Sequence, residues 1–159
     1  MKIIRVGTGY DAHRLQRGRK LVLGGEEISY PKGLWGHSDA DVILHAIVDA
    51  LLGAAGLPDI GTYFSNQDPR WKNVSSIIFL KEVARIFLSK KIKILNIDCV
   101  LLSEEPKIAP YRESMKKNIA LALKIKTSDI GIKASTNEGM GFVGRKQGMA
   151  ATAVALIQM

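Results

Sequence analysis

Gly36-His37-Ser38-Asp39-Ala40-Asp41-Val42-Ile43-Leu44-His45-Ala46-Ile47-Val48-Asp49-Ala50-Leu51-Leu52-Gly53 reads as a loop running into a buried helix. The helix is apolar nearly all round, through Val42, Ile43, Leu44, Ala46, Ile47, Val48, Leu51 and Leu52, the pattern of an interior element. Ser38 or Asp39 can cap its start, and Gly53 and Gly56 fall near its end. Outward from it, residues 3–10 are β-like and end in Gly7 and Gly9, where the backbone turns or comes close to a ligand. Leu21-Val22-Leu23, Gly24-Gly25 and Ile28-Ser29-Tyr30 suggest a surface hairpin, followed after Pro31 by a loop through Trp35 and His37. A turn-rich loop covers residues 57–72, and an amphipathic helix residues 76–89. A β-run over 93–103 leads through Pro106 and Pro110 into a third helix at 111–123, where Tyr111, Met115 and Ile119 are spaced at four. Strands at 130–135 and 148–157 close the chain. This interleaving predicts an α+β (α/β layer) fold: a single domain over residues 1–159, with a mixed β-sheet and helices packed on one face.

The 159 residues suffice for one domain with a substantial core, and 47% hydrophobic with 24% charged residues is ordinary for a globular protein. No apolar run approaches the roughly 20 residues that cross a bilayer. Residues 1–5 lead straight into a strand pattern, so neither a signal peptide nor a membrane span is expected. The single cysteine, Cys99, excludes an internal disulfide and suits a reducing compartment, so a cytoplasmic location is expected. The net charge of +8 permits nucleic-acid or phosphate-rich partners. Many of the cations, however, fall at helix ends and turns (Lys90, Lys91, Lys116, Lys117, Lys124, Lys126), as on a solvated basic surface. A nucleic-acid binder interleaves its cations with aromatic stacking platforms, whereas aromatic residues here are 6% and scattered. No nucleic acid is expected as a partner.

The chain's three histidines, His13, His37 and His45, all lie near its start. In Gly9-Tyr10-Asp11-Ala12-His13 the Asp and His are two apart, so on a strand both point to one face. Asp11, His13 and the helix residue His45 make a three-ligand set suited to zinc with its fourth position open, an arrangement usual in catalytic sites. Spacing alone leaves open the plainer reading of a cap and a hydrogen-bonded core histidine. His37 reads either as a loop residue or as a hydrogen-bonding group beside the metal, near the positive end of the helix. Asp59 after Pro58 is a turn residue or an acceptor for polyol hydroxyls. Lys133-Ala134-Ser135-Thr136-Asn137-Glu138-Gly139-Met140-Gly141-Phe142 gathers hydroxyls and amides where a strand enters a glycine-bearing loop, fit either for phosphate or for an ordinary turn. Glu138 among them suits magnesium, which pairs a carboxylate with substrate phosphates. Gly139-x-Gly141-x-x-Gly144 matches a dinucleotide fingerprint by letter, but Arg145-Lys146-Gln147-Gly148 opens no helix and that reading is rejected.

Taken in order, these motifs resemble the 2-C-methyl-D-erythritol 2,4-cyclodiphosphate synthase family of non-mevalonate isoprenoid biosynthesis. The most specific are Gly9 to His13, Gly36 to Val42, His45-Ala46 with Asp49 to Ala54, Asp59-Ile60-Gly61, and Lys133 to Glu138 with Gly141-Phe142. The resemblance implies a homotrimer with active sites between subunits, and a substrate of cytidine diphosphate type whose 2-phosphate attacks the β-phosphorus and expels CMP. It implies zinc on Asp11, His13 and His45, and magnesium or manganese on Glu138. It also implies that His37 and Thr136 stabilise the transition state and that Ser38 joins His37 at the substrate. Asp59, Ile60 and Gly61 would hold the methylerythritol part, with Phe64, Ser65, Asn66, Gln67 and Asp68 closing over it. A neighbouring subunit would contribute the cytosine pocket: Ser103, Glu104, Glu105, Pro106, Lys107, Ile108 and Ala109, with Ser135, Thr136 and Asn137. Phe142 and Arg145 match positions lining a central cavity that holds an isoprenoid diphosphate in some members.

The chain departs from the family pattern at Ser65-Asn66-Gln67, where Pro-Asp-Thr commonly follows the phenylalanine, and at Ser135 and Asn137, where threonines are common. Two other readings compete. A basic RNA- or phosphate-binding module with a structural metal would want four protein ligands, often cysteines, which the sequence does not offer. A zinc hydrolase could use the same triad to activate water, but no general base is evident beside it.

Overall fold

The computed structural model describes residues 2–159. Its strands are β1 (Ile4–Arg17), β2 (Leu21–Leu23), β3 (Glu26–Ile28), β4 (Lys32–Leu34), β5 (Lys93–Leu102), β6 (Ile130–Ser135) and β7 (Gly148–Gln158). Its helices are α1 (Val42–Ala54), α2 (Ile60–Tyr63), α3 (Ile77–Ser89), α4 (Arg112–Leu123) and α5 (Gly141–Gly144). Five strands form one sheet in the order β4-β1-β7-β5-β6, and β2 and β3 pair as a separate hairpin. Only β5 and β6 run parallel; the other pairs are antiparallel, so the sheet is mixed as expected.

Helix α1 lies across β1 and β7, α4 leans on β6, and α3 bridges the two helices, all on one face. On that face the rows Gly7–Ala155–Ile97–Ile130 and Gly9–Ala153–Cys99–Ile132 are small or apolar. Ten of the thirteen α1 residues are buried, and each fully buried leucine or isoleucine contributes roughly 1.5–3 kcal/mol to stability. The opposite face is open: Val6 is 63% exposed, Tyr10 60% and Val154 42%.

Several local expectations differ from the structure. Strand β1 does not end at Gly9 but continues to Arg17. The two glycines serve α1 rather than a ligand or a turn: a Cβ on Gly7 would sit 2.2 Å from the Ala50 carbonyl oxygen, and one on Gly9 2.0 Å from that of Ala46. Asp41, not Ser38 or Asp39, caps α1, accepting the Leu44 amide at 3.1 Å. The hairpin has its Gly24-Gly25 turn, yet Leu21, Leu23 and Ile28 are buried. The loop after it carries the short strand β4, which pairs with the far end of β1. One helical turn, α5, does follow Gly139, but four residues with no side-chain cap do not form a dinucleotide site.

Candidate metal centre and substrate pocket

Close packing of α1 on β1 decides the geometry of the centre. Because Gly9 lets the strand touch the Ala46 backbone, the neighbouring His45 reaches the strand residues Asp11 and His13. The Asp11 Oδ2, His13 Nε2 and His45 Nδ1 atoms form a triangle with sides of 2.7 Å (Asp11–His13), 2.9 Å (Asp11–His45) and 3.1 Å (His13–His45). One face of a zinc tetrahedron with bonds near 2.0–2.1 Å has edges of about 3.3 Å, so one carboxylate oxygen and two imidazole nitrogens fit such an ion after a small outward relaxation. All three side chains are half-buried, and among the described residues this is the one group of its kind.

The local electrostatics suit a cation. Burial raises the Asp11 carboxyl, but hydrogen bonds from His13 and His45 outweigh it and hold the acid well below the usual carboxylate range. Burial lowers His13, yet the Asp11 carboxylate and the Trp35 carbonyl overcome that and raise it. The His13 Nδ1 donates to the Trp35 carbonyl at 3.0 Å, which leaves Nε2 for the centre. The His45 Nε2, its far nitrogen, lies 2.9 Å from Ser76 Oγ and 3.3 Å from Ser38 Oγ.

The triangle opens into a cavity of about 620 Å³. His37, Ser38, Ile60, Gly61, Phe64 and Asn66 line it together with His13 and His45, so the structure brings these sequence-selected residues to one place. The His37 Nε2 donates to the Asp68 carbonyl at 3.1 Å, joining the start of α1 to the loop beyond α2. Asp59 caps α2 through the Thr62 amide at 2.9 Å. The Phe64 ring stacks on Phe79 with centroids 4.4 Å apart and meets Trp71 edge-on. Ser65 accepts the Gln67 amide, Gln67 is exposed, and the Asp68 carboxylate is engaged by Arg70. The cavity also holds groups that the sequence did not single out, among them Arg19, Trp35, Trp71, Lys72 and Asn73. Arg19 donates to the Ser38 carbonyl at 2.9 Å. These contacts join segments far apart in the chain and leave no local pattern.

The remaining selected residues form a second cluster. The Ser103 amide donates to the Ser135 carbonyl at 3.0 Å, and the Asn137 amide to Glu104 Oε1 at 2.8 Å, tying the two loops together. Thr136 Oγ1 donates to Glu138 Oε1 at 3.2 Å, and Glu138 has φ +51°. Lys107 and Ala109 are exposed, Pro106 is half-buried and Ile108 is buried. Glu105 accepts from the Tyr30 hydroxyl and pairs with Lys146. Phe142 and Arg145 line a separate hollow of about 730 Å³ with Arg14, Lys32 and Lys146. Asp11, Ala151, Leu101 and Ala134 share one row across four strands. Three strand spacings, about 14 Å, therefore part the metal triangle from the Thr136–Glu138 loop within one chain.

A family model described as YgbB family matches residues 4–158. Two relatives named 2-C-methyl-D-erythritol 2,4-cyclodiphosphate synthase are 53% identical over 155 residues (Caldicellulosiruptor bescii, 98% of this chain and 99% of that one) and 54% identical over 154 residues (Alkaliphilus metalliredigens, 97% of each). Among solved structures, the bifunctional IspDF from Campylobacter jejuni matches with TM-score 0.90 at 35% identity, over 99% of this chain and 43% of that one. The IspF of Plasmodium falciparum in complex with CDP matches with TM-score 0.85 at 37% identity, over 97% and 95%. A family model and close relatives that both run the length of the chain leave one assignment: it belongs to the YgbB family.

Proposed function

We propose that this chain is a 2-C-methyl-D-erythritol 2,4-cyclodiphosphate synthase, a lyase of isoprenoid precursor biosynthesis. It takes 4-diphosphocytidyl-2-C-methyl-D-erythritol 2-phosphate. An oxygen of the 2-phosphate attacks the β-phosphorus, the bond from the β-phosphorus to the oxygen bridging it to the α-phosphorus breaks, and that oxygen leaves on CMP. No protein nucleophile is required, so positioning and charge stabilisation do the work. The observation that carries the reading is the Asp11–His13–His45 triangle opening into the cavity with His37, Ser38 and Gly61.

In this reading Asp11, His13 and His45 hold zinc, and Glu138 holds magnesium or manganese at the diphosphate. Bound there, the ions supply Lewis acidity and a template for the phosphates. His37 and Thr136 donate to developing phosphoryl charge, and Asp59, Ile60 and Gly61 orient the polyol. Residues 64–68 shield it, with the stacked Phe64 as their fixed end. The loop at residues 103–109, with Ser135, Thr136 and Asn137, receives the cytidine. About 14 Å within one chain is too far for the two clusters to share one diphosphate, so a neighbouring subunit completes each site. The open apolar sheet face supplies the surface for a homotrimer, and Phe142 and Arg145 then face its centre, where an isoprenoid diphosphate can sit.

Purified protein with zinc and magnesium should release CMP from this substrate, followed by chromatography. Absence of CMP with zinc verified in the protein overturns the reading. His45→Ala should lose bound zinc and activity together. Glu138→Ala should lose activity by at least about 100-fold, the scale of lost transition-state charge stabilisation, and retain its zinc.

A further inference from the structure

Behind the triangle lies a chain of polar groups that the reaction itself does not use. Ser76 is fully buried. Its hydroxyl lies 2.9 Å from His45 Nε2 on one side and donates to Asp39 on the other. The Asp39 carboxylate also accepts the amides of Ser76, at 3.0 Å, and Asp41, at 3.2 Å.

The donor count is decisive. A carboxylate only accepts, so the single hydroxyl hydrogen of Ser76 is committed to Asp39. The Ser76 oxygen is then left as an acceptor, facing His45 Nε2 at 2.9 Å and the Ser38 hydroxyl at 3.4 Å, and the shorter contact is the one to the ring nitrogen, which donates its hydrogen there. Ser38 Oγ lies farther from the same nitrogen, at 3.3 Å, and adds only a weaker second acceptor. Nδ1 is the atom in the triangle with Asp11 and His13; without a metal it donates its hydrogen to the Asp11 carboxylate, and a ring that keeps its hydrogen on Nε2 can give up the one on Nδ1 and present that lone pair to a metal. His13 is fixed in the opposite sense, through its Nδ1 to the Trp35 carbonyl.

We infer that Ser76, backed by Asp39, is a positioning residue for the metal centre: it fixes the tautomer and ring angle of His45, and its relay to a carboxylate makes Nδ1 a stronger ligand. The inference rests on the metal-centre reading above and names the groups that tune it. Because Ser76 starts α3 and Asp39 precedes α1, the relay also ties the ligand to the packing of those two helices. Removal of such supporting partners typically weakens metal binding about 10–100-fold.

The test is zinc affinity of the folded protein, measured by competition with a chromophoric chelator, together with the visible spectrum of the cobalt(II)-loaded form. Ser76→Ala should bind zinc at least tenfold more weakly and shift the cobalt bands. Ser76→Thr, which keeps the hydroxyl, should restore most of the affinity. Asp39→Asn, which keeps the shape but removes the charge, should fall between Ser76→Ala and the unaltered protein. Unchanged affinity and spectrum in Ser76→Ala overturn the inference while leaving the synthase reading intact. If Ser76→Ala does not fold, unchanged affinity in Asp39→Asn overturns it instead. Absence of zinc binding in the unaltered protein fails the metal reading itself, and the inference with it.

Discussion

Asp41 is fully buried and takes three backbone hydrogen bonds, from Gly24 at 3.0 Å, Gly25 at 2.7 Å and Leu44 at 3.1 Å. Burial pushes its carboxyl from 3.8 up to about 7, with the charge of Asp39 adding to the shift and the three amides opposing it. A folded-state value above the unfolded one means that the native chain holds the proton more tightly. This contribution is complete below about pH 4 and is lost as pH rises to 7. Stability should therefore fall across that window by up to about 1.4 kcal/mol per pH unit from this group. Urea midpoints compared with Asp41→Asn test this: the variant's slope should be flatter between pH 4 and 7, and parallel slopes would refute it. Cys99 lies in the same core, and burial, then Asp41 and Asp98, pushes its thiol up to about 12. Thiol reagents should label it only as fast as the protein unfolds, since the reactive thiolate is suppressed.

At the scale of elements, the contact of α1 with β1 is the hinge of the architecture, because one pair of backbones brings Asp11, His13 and His45 together. A Gly9 Cβ would lie 2.0 Å from the Ala46 carbonyl oxygen, and backbone cannot swing aside as a side chain does. Gly9→Ala should cost about 1–3 kcal/mol, the range for overpacked cores. It should also weaken metal binding by moving His45 from Asp11. Thermal melts and chelator competition read the two effects separately, and an unchanged variant in both would show that the contact is not needed. The same contact shows where sequence reading succeeds and stops. Helix α1 was legible from its apolar pattern, and Asp11-x-His13 from the two-residue strand period, because both signals are local. Gly7 and Gly9 looked like a strand end, since a glycine that admits a helix and one that makes a turn are the same letter. Ser38 and Asp39 read as the caps, yet Asp41 takes that place, held by the hairpin amides of Gly24 and Gly25 that no local pattern announces. Ser76 and Trp35 stayed hidden because their meeting with the histidines is made by tertiary packing alone.

The whole molecule presents the Asp11–His13–His45 triangle and the Thr136–Glu138 loop at the same end of one sheet, about three strand spacings apart, and a face that remains bare. Val6, Tyr10 and Val154 stand on that face with Leu156, Val100 and Leu102 half-buried beside them. Exposed apolar surface of this kind is what a neighbouring copy would cover in the proposed assembly. If a neighbouring copy closes each site, the metal triangle comes from one subunit and the Thr136–Glu138 loop from the next. His45→Ala and Glu138→Ala, each inactive alone, then damage different halves. Co-refolding equal amounts should regenerate intact sites wherever a sound triangle meets a sound loop, about one site in four for random closed rings. CMP release should return to that fraction, with zinc bound to about half of the subunits. A mixture that stays inactive while sizing as a mixed trimer would place both halves of the site in one chain. Val6→Arg gives the complementary result: a charge on the bare face should yield a folded monomer that keeps its zinc and loses activity, because the triangle is built within the subunit while in the proposed assembly a neighbour's loop completes the site.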